Sequence, residues 1–278
     1  MFFTALITPV ILLVLYGTFL GDVYRDSFVN SLPEGFVLSD SILNGLVGGQ
    51  LISSILSVSC ITVAFCANFL MVQDKARGTV KDLRISPVHT YTLSLSYYIA
   101  TLVATLLICI AAAIVSLIYV ACIGWYFSFG DIALLMLDIM LLVIFGTALS
   151  SVVNFFLSTQ GQISAVGSIV SSCYGFISGA YMPISTFSEA LQNIIAFLPG
   201  TYGTALVRTH STAGVMREML EIGIPSDVIE SIKDSIDCNI YFFDNKVPIA
   251  AAYLIIAVSI TVLLASYVLI NKLNNKDK

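Results

Sequence analysis

The sequence predicts an all-α, polytopic membrane protein. Hydrophobic residues make up 58% of the 278-residue chain and charged residues only 10%, against about 25% charged in ordinary soluble domains. Several apolar runs reach the roughly 20 residues that a helix needs to cross a hydrocarbon core of about 30 Å, where a helix satisfies its own backbone hydrogen bonds. Positive charge is gathered between those runs, with four of the twelve Lys and Arg lying between Lys75 and Arg84.

Six spans follow along a single transmembrane domain covering 1–278. The first is about 2–20, from Phe2 to Leu20, followed by a polar loop with Asp22, Arg25, Asp26, Pro33 and Asp40. The second is about 46–72, and the third, 93–124, ends near Trp125 and Tyr126, whose amphipathic rings suit a membrane interface. The stretch WYFSFGD reads as a tight turn into a fourth span at 132–156. Ser158 to Gln162 turns the chain into a fifth at 163–181, and the sixth is 248–270. A polar segment, 182–247, separates the last two.

Six spans put loop 73–91 and the C-terminus on one side of the membrane. That side carries Lys75, Arg77, Lys81, Arg84, Lys272, Lys276 and Lys278, whereas 182–247 is rich in Asp and Glu. The excess of Lys and Arg places loop 73–91 and the C-terminus in the cytoplasm of a multi-pass cell-membrane protein. No Lys or Arg precedes the first span, so the basic leader of a signal peptide is missing and later loops set the orientation.

Composition also excludes function classes. The pI near 4.8 and the lack of a dense basic patch argue against nucleic acid as a partner. Cys60, Cys66, Cys109, Cys122, Cys173 and Cys238 form no close-spaced metal or redox motif and read as small packing residues. Neither catalytic residues nor a metal site is expected. No phosphate-binding G-x-x-x-x-G-K-[ST] occurs, so a chain driven by ATP must take it from elsewhere.

The most unusual stretch is MVQDKARGTVKDLRISPVHTY, Met71 to Tyr91. On a continuous helix, Ala76, Val80 and Leu83 form a narrow apolar stripe beside Asp74, Arg77, Lys81 and Arg84. Gly78-Thr79 allows a bend, and Pro87 ends the element at Ser86. On charge alone it reads either as a solvated topology anchor or as a small helix lying on the membrane or in a partner's groove.

QDKARGTVKDLRISPV resembles the cytoplasmic loop between the second and third spans of ABC-2 type transport permeases. ISGAYMPISTFSEALQNIIAFLPGTYGTALVR, Ile177 to Arg208, is similar to the end of that family's fifth span and the outer segment after it. The resemblance runs from Phe2 through essentially the whole chain. It implies a permease subunit that pairs with a second permease subunit and with a separate ABC ATPase subunit, the latter holding ATP and Mg. This chain binds no cofactor itself, and Asp74, Lys75, Arg77, Gly78 and Thr79 fall in the coupling helix that docks on the ATPase. The family's basic surface helix ahead of the first span has no counterpart here, so either the chain starts at an internal Met or this branch lacks the helix.

The outer segment contains a helix, FSEALQNIIAFLPG, too short to span and broken again at Pro199-Gly200. It is expected either in a small external domain or as a re-entrant element, the reading the resemblance favours, with Pro183, Ser185, Pro199 and Tyr202 as its markers. From Ala213 to Val247, two amphipathic external helices are expected, joined at Gly223-Ile224-Pro225, with Ser226 as an N-cap and Val228, Ile229, Ile232 and Ile236 on one face. The acidic surface of this cap is a solvated face or a site for cations or basic peptides.

Asp138 is a carboxylate well inside a span, two turns after Asp131 on nearly the same face. It has either a structural bond to a neighbouring Ser or Tyr or a role in substrate binding or proton coupling. GFISG (175–179) and GTALS (146–150) place small residues four apart for close helix approach, within a subunit or at a dimer seam. The function expected is an ATP-driven exporter subunit for a drug, peptide or other amphipathic substrate. An exporter of polysaccharide or lipid-linked glycan is the alternative within the family. An ion- or proton-coupled carrier using Asp138, or a non-transporting scaffold or sensor, are the alternatives outside it.

Overall fold

The computed structural model describes residues 10–11, 13–15, 18–19, 21–30, 38–85, 90–243 and 245–274. The first predicted span, Lys276 and Lys278 of the tail, and Ser86 and Pro87 fall largely or wholly outside them. The described chain is almost entirely helical: α1 Gly21–Asn30, α2 Asp40–Arg77, α3 Thr79–Ile85, α4 Thr90–Ile123, α5 Phe129–Phe155 and α6 Gln160–Ile177. After a 3-10 turn at Ile184–Thr186 come α7 Glu189–Ile195, α8 Pro199–Glu221, α9 Ser226–Ser235 and α10 Ile249–Asn274. A two-residue antiparallel hairpin, β1 Tyr241–Phe242 with β2 Asn245–Lys246, precedes α10.

Four of these helices, α2, α4, α5 and α10, are long and apolar enough to cross a membrane. α2, α5 and α10 run in one direction and α4 in the other. Gly48 of α2 faces Val120 near the end of α4, while Asp74 meets Tyr97 near its start. Lys75 reaches Phe155 at the end of α5, and Asn271 of α10 pairs with Ser94 of α4. The apolar stretch of α2 is 83% buried and that of α10 only 11%, which makes α2 the hub and α10 a peripheral helix.

Close approach to α2 rests on glycine. A Cβ at Gly146 of α5 would stand 2.9 Å from the Cys60 carbonyl oxygen, and one at Gly49 of α2 only 2.7 Å from the Ser211 carbonyl of α8. Without side chains at these points the backbones touch, so dispersion and interhelical hydrogen bonds hold the bundle where lipid supplies no hydrophobic drive. Helix ends are set locally: Ser128 and Asp131 form a capping box on α5, and Thr159 and Gln162 one on α6.

Several predicted boundaries move. The helix that contains the expected second span, 46–72, extends beyond it at both ends, because Ser39 caps α2 at Asp40 and no breaker interrupts it before Gly78. Asp74, Lys75 and Arg77 therefore lie on the last turn of α2 and not on a separate loop helix. The predicted stripe is also split, with Val80 buried while Ala76 and Leu83 are exposed. Gly78 sits at φ +85, and this left-handed residue resets the helical phase between Ala76 and Val80.

The largest correction concerns the outer segment. Pro199-Gly200 does not end a helix; it starts α8, with Pro199 at the first helical position, where its missing N–H costs nothing. The first of the two expected external helices is thus the second half of a 23-residue helix packed against α2, α5 and α10. Ser226 is the first residue of α9, not its cap, since Pro225 holds the cap position. Val228, Ile229, Ile232 and Ile236 are all buried in the core.

Candidate functional site

Two regions concentrate polar side chains against apolar helices. The first is the corner between α2 and α3. The Tyr97 hydroxyl of α4 donates to Asp74 Oδ2 at 2.7 Å. Lys75 Nζ donates to the Phe155 carbonyl of α5 at 2.7 Å and lies 4.9 Å above the Phe155 ring centre. That carbonyl belongs to the open C-terminal end of α5, where a cation is favoured. Two of the five predicted coupling residues therefore tie the end of α2 to two other long helices. Gly78 forms the joint, its N–H bonded to the Lys75 carbonyl, while Arg77, Thr79, Leu83 and Ile85 are exposed.

The second region is a buried polar layer further along the bundle. Arg208 of α8 is only 1% exposed, yet its guanidinium makes four hydrogen bonds. Nε donates to Ser53 Oγ of α2 at 3.3 Å, Nη2 to the Gly179 carbonyl beyond α6 at 2.5 Å, and Nη1 to the Asp237 backbone carbonyl at 3.4 Å and Oδ2 at 3.5 Å. Nearby, Ser54 Oγ donates to the Ala180 carbonyl at 2.6 Å. One arginine thus joins α2, the end of α6 and the turn after α9.

Asp237 is 5% exposed and adopts φ 54, a left-handed conformation uncommon outside glycine but tolerated by Asp. Its Oδ2 also accepts from the Ile184 N–H at 2.7 Å. Burial pushes its carboxyl up to about 6, against the opposing pull of Arg208 and the Ile184 and Ser185 N–H groups. The same carboxylate lines a cleft of about 230 Å³ with Ile184, Ser185, Gln192, Thr201 and Asp234.

Asp138 belongs to this layer too. It is 1% exposed; His210 Nδ1 of α8 lies 2.5 Å from its Oδ2, and the Tyr253 hydroxyl of α10 donates to Oδ1 at 2.6 Å. Two turns away, Asp131 holds Arg217 of α8 through both carboxylate oxygens. The carboxylates of α5 are thus the partners of cationic and imidazole groups on α8.

The predicted outer markers fall on two sides of this layer. Pro183 precedes the 3-10 turn, its carbonyl accepting from the Thr186 hydroxyl at 2.6 Å, and the Ser185 carbonyl accepts from Gln192 at 3.4 Å. Pro199 and Tyr202 lie at the start of α8, where the Tyr202 hydroxyl donates to the Ala196 carbonyl at 2.6 Å. There Gly203 packs directly on Leu142, midway along α5, and on Ile256 of α10.

Sequence reasoning found Asp138 but missed Arg208, His210 and Asp237. Hydropathy hid Arg208 and His210, because α8 is too polar to register as a span. A different signal was present: Gly200, Gly203, Ala205, Ser211, Ala213 and Gly214 make α8 rich in small residues, the composition of a helix packed tightly inside a membrane bundle.

The fold and these buried layers define a polytopic, all-α membrane protein. The chain belongs to the ABC-2 type transporter family, whose model matches residues 1–210. That family supplies the membrane component of ABC transporters, with ATP hydrolysis in a separate subunit. No curated protein matches the chain.

Proposed function

We propose that this chain is the permease subunit of an ATP-driven exporter, moving a drug, peptide or other amphipathic substrate out of the cell. Two permease subunits work with two copies of an ATPase subunit that binds ATP and Mg. The corner between α2 and α3 carries the reading. Asp74 and Lys75 fasten it to α4 and α5, so a push on exposed Arg77, Thr79 or α3 moves three long helices together. Alternating access needs such a contact, whose geometry differs between states.

Loop 73–91 and the C-terminus face the cytoplasm in this arrangement, and α7 with the start of α8 forms the outer re-entrant element, entering to the level of Leu142. A second permease subunit fits the face of α6. Ser164, Ser168, Ser171 and Ser172 are exposed there, whereas the exposed faces of α4 and α10 carry Ile99, Val103, Leu107, Leu254 and Val258. Aliphatic faces suit lipid, and a serine-rich face suits another helix or a water-filled path. One observation favours the rival of a proton-coupled carrier, namely the buried Asp138–His210 pair.

Affinity purification of the chain from native membranes tests the proposal. An ATPase subunit is expected to co-purify and to lose transport coupling when Arg77→Glu or Gly78→Pro is introduced. Absence of any ATPase, with transport lost instead in Asp138→Asn, would replace the exporter by the carrier.

A further inference from the structure

Arg208 is among the largest fully buried side chains of the described residues, and it meets α2 at a single level, Ser53. Ser53 is one of four polar residues on α2, Gln50, Ser53, Ser54 and Ser57, at spacing i, i+3, i+4 and i+7. That spacing stacks them on one face of the helix. All four are at most 1% exposed. Ser53 and Ser54 are bonded across the bundle, to Arg208 and to the Ala180 carbonyl. Among the described residues, Gln50 and Ser57, one turn to either side, have no partner for any side-chain nitrogen or oxygen.

An unpaired amide at zero exposure is rare because both its ends have given up water for nothing. Gln50 thus presents a vacant carbonyl acceptor one turn from a buried guanidinium that carries five donors.

We infer that α2 offers Arg208 two registers: the observed one at Ser53, and a second, one helical turn nearer Asp40, in which the guanidinium donates to Gln50 Oε1. Gln50, Ser53 and Arg208 are positioning residues along which α8 moves. Thr204, one turn before Arg208 on α8 and fully buried, then arrives opposite the vacated Ser53. Asp237 follows α9, which packs on α8, so the counter-charge travels with the arginine. At Gly49 the backbone of α2 faces Ser211 and Thr212 with no side chain of its own between them. The Arg208 guanidinium keeps acceptors in both registers, while the shift opens the His210–Asp138 and Arg217–Asp131 contacts with α5; the unpaired amide of the present state is the acceptor of the other. Calling the moving element an outer gate rests on the exporter reading, but the two registers are measurable without transport.

The test uses the full chain in lipid nanodiscs, with exposed Cys122 and Cys173 replaced by Ala and spin labels at Phe129→Cys on α5 and Leu220→Cys on α8, both exposed positions. The charge-swap variant Gln50→Glu/Asp237→Asn keeps the net charge and moves the acid from the turn onto α2. Its label separation is expected to change by up to about 5 Å, one helical turn, while Gln50→Leu keeps the native separation and a Tm equal to or above native. An unchanged separation in the charge-swap variant overturns the two registers. Should that variant fail to fold, Gln50→Leu decides alone, because a Tm several degrees below native would mean that the amide is already bonded. Failure of the exporter reading leaves these distances untouched, so the two outcomes are distinguishable.

Discussion

Replacing Arg208 by Met removes a buried guanidinium while roughly keeping its length. The Gly179 carbonyl and Ser53 hydroxyl would lose this donor, and the Asp237 carboxylate would keep only backbone N–H groups such as that of Ile184. Breaking a buried ion pair by removing one partner costs about 3–5 kcal/mol. A kilocalorie shifts the midpoint of a domain this large by about 2–4 °C, so Tm is expected to fall by roughly 6–20 °C. Adding Asp237→Asn should recover most of the loss, since the uncompensated carboxylate is then gone.

pH gives an independent check. The Asp237 carboxyl is raised to about 6 in the fold, above the ordinary Asp value of about 3.9. A raised carboxyl contributes stability that is fully present below the ordinary value and is lost as pH rises through about 6. Without Arg208, which pulls that carboxyl down, the proton is held to still higher pH. Arg208→Met is thus expected to be nearer the native Tm at pH 5 than at pH 7.5. Thermal unfolding followed by Trp125 fluorescence in nanodiscs across that range measures both effects. A loss below about 1 kcal/mol at pH 7.5, or no recovery in the double variant, would refute the arginine as the fastening of this layer.

Other consequences are as specific. Asp138→Ala strands His210 and Tyr253 and is expected to cost about 2–6 kcal/mol, at roughly 1–3 for each buried polar group. Asp138→Asn, which can still bond both, should stay near native in the same assay. Gly49→Ala places a methyl against the Ser211 carbonyl and should cost about 1–3 kcal/mol as overpacking. Gly78→Ala meets no neighbour but must hold φ +85, at a cost of about 1–2 kcal/mol. Arg77→Glu, on an exposed residue, should change Tm by less than about 0.5 kcal/mol equivalent while abolishing coupling to a co-purified ATPase.

The value of these tests lies in the division they make between the two polar regions. The corner at Gly78 has exposed groups on one side and bonded groups on the other, as a transmitting contact requires. The Arg208 layer has almost no exposure, so its variants report on the fastening of α8 and not on a docking surface.

Composition and run length alone determined that the chain is helical and membrane-spanning, because the absence of water in hydrocarbon leaves the backbone few alternatives. The residues of 71–91 likewise carried the family resemblance, and Gly78 was legible as a joint because left-handed φ favours glycine. The intramembrane Asp138 stood out by its cost. Only the tertiary structure decided what pays that cost, because His210 lies 72 residues from Asp138 and Tyr253 lies 115 away, beyond any periodicity. It also decided that 199–221 is one helix packed into the bundle: small residues and paired charges let a polar sequence be buried, which hydropathy summed along the chain cannot register.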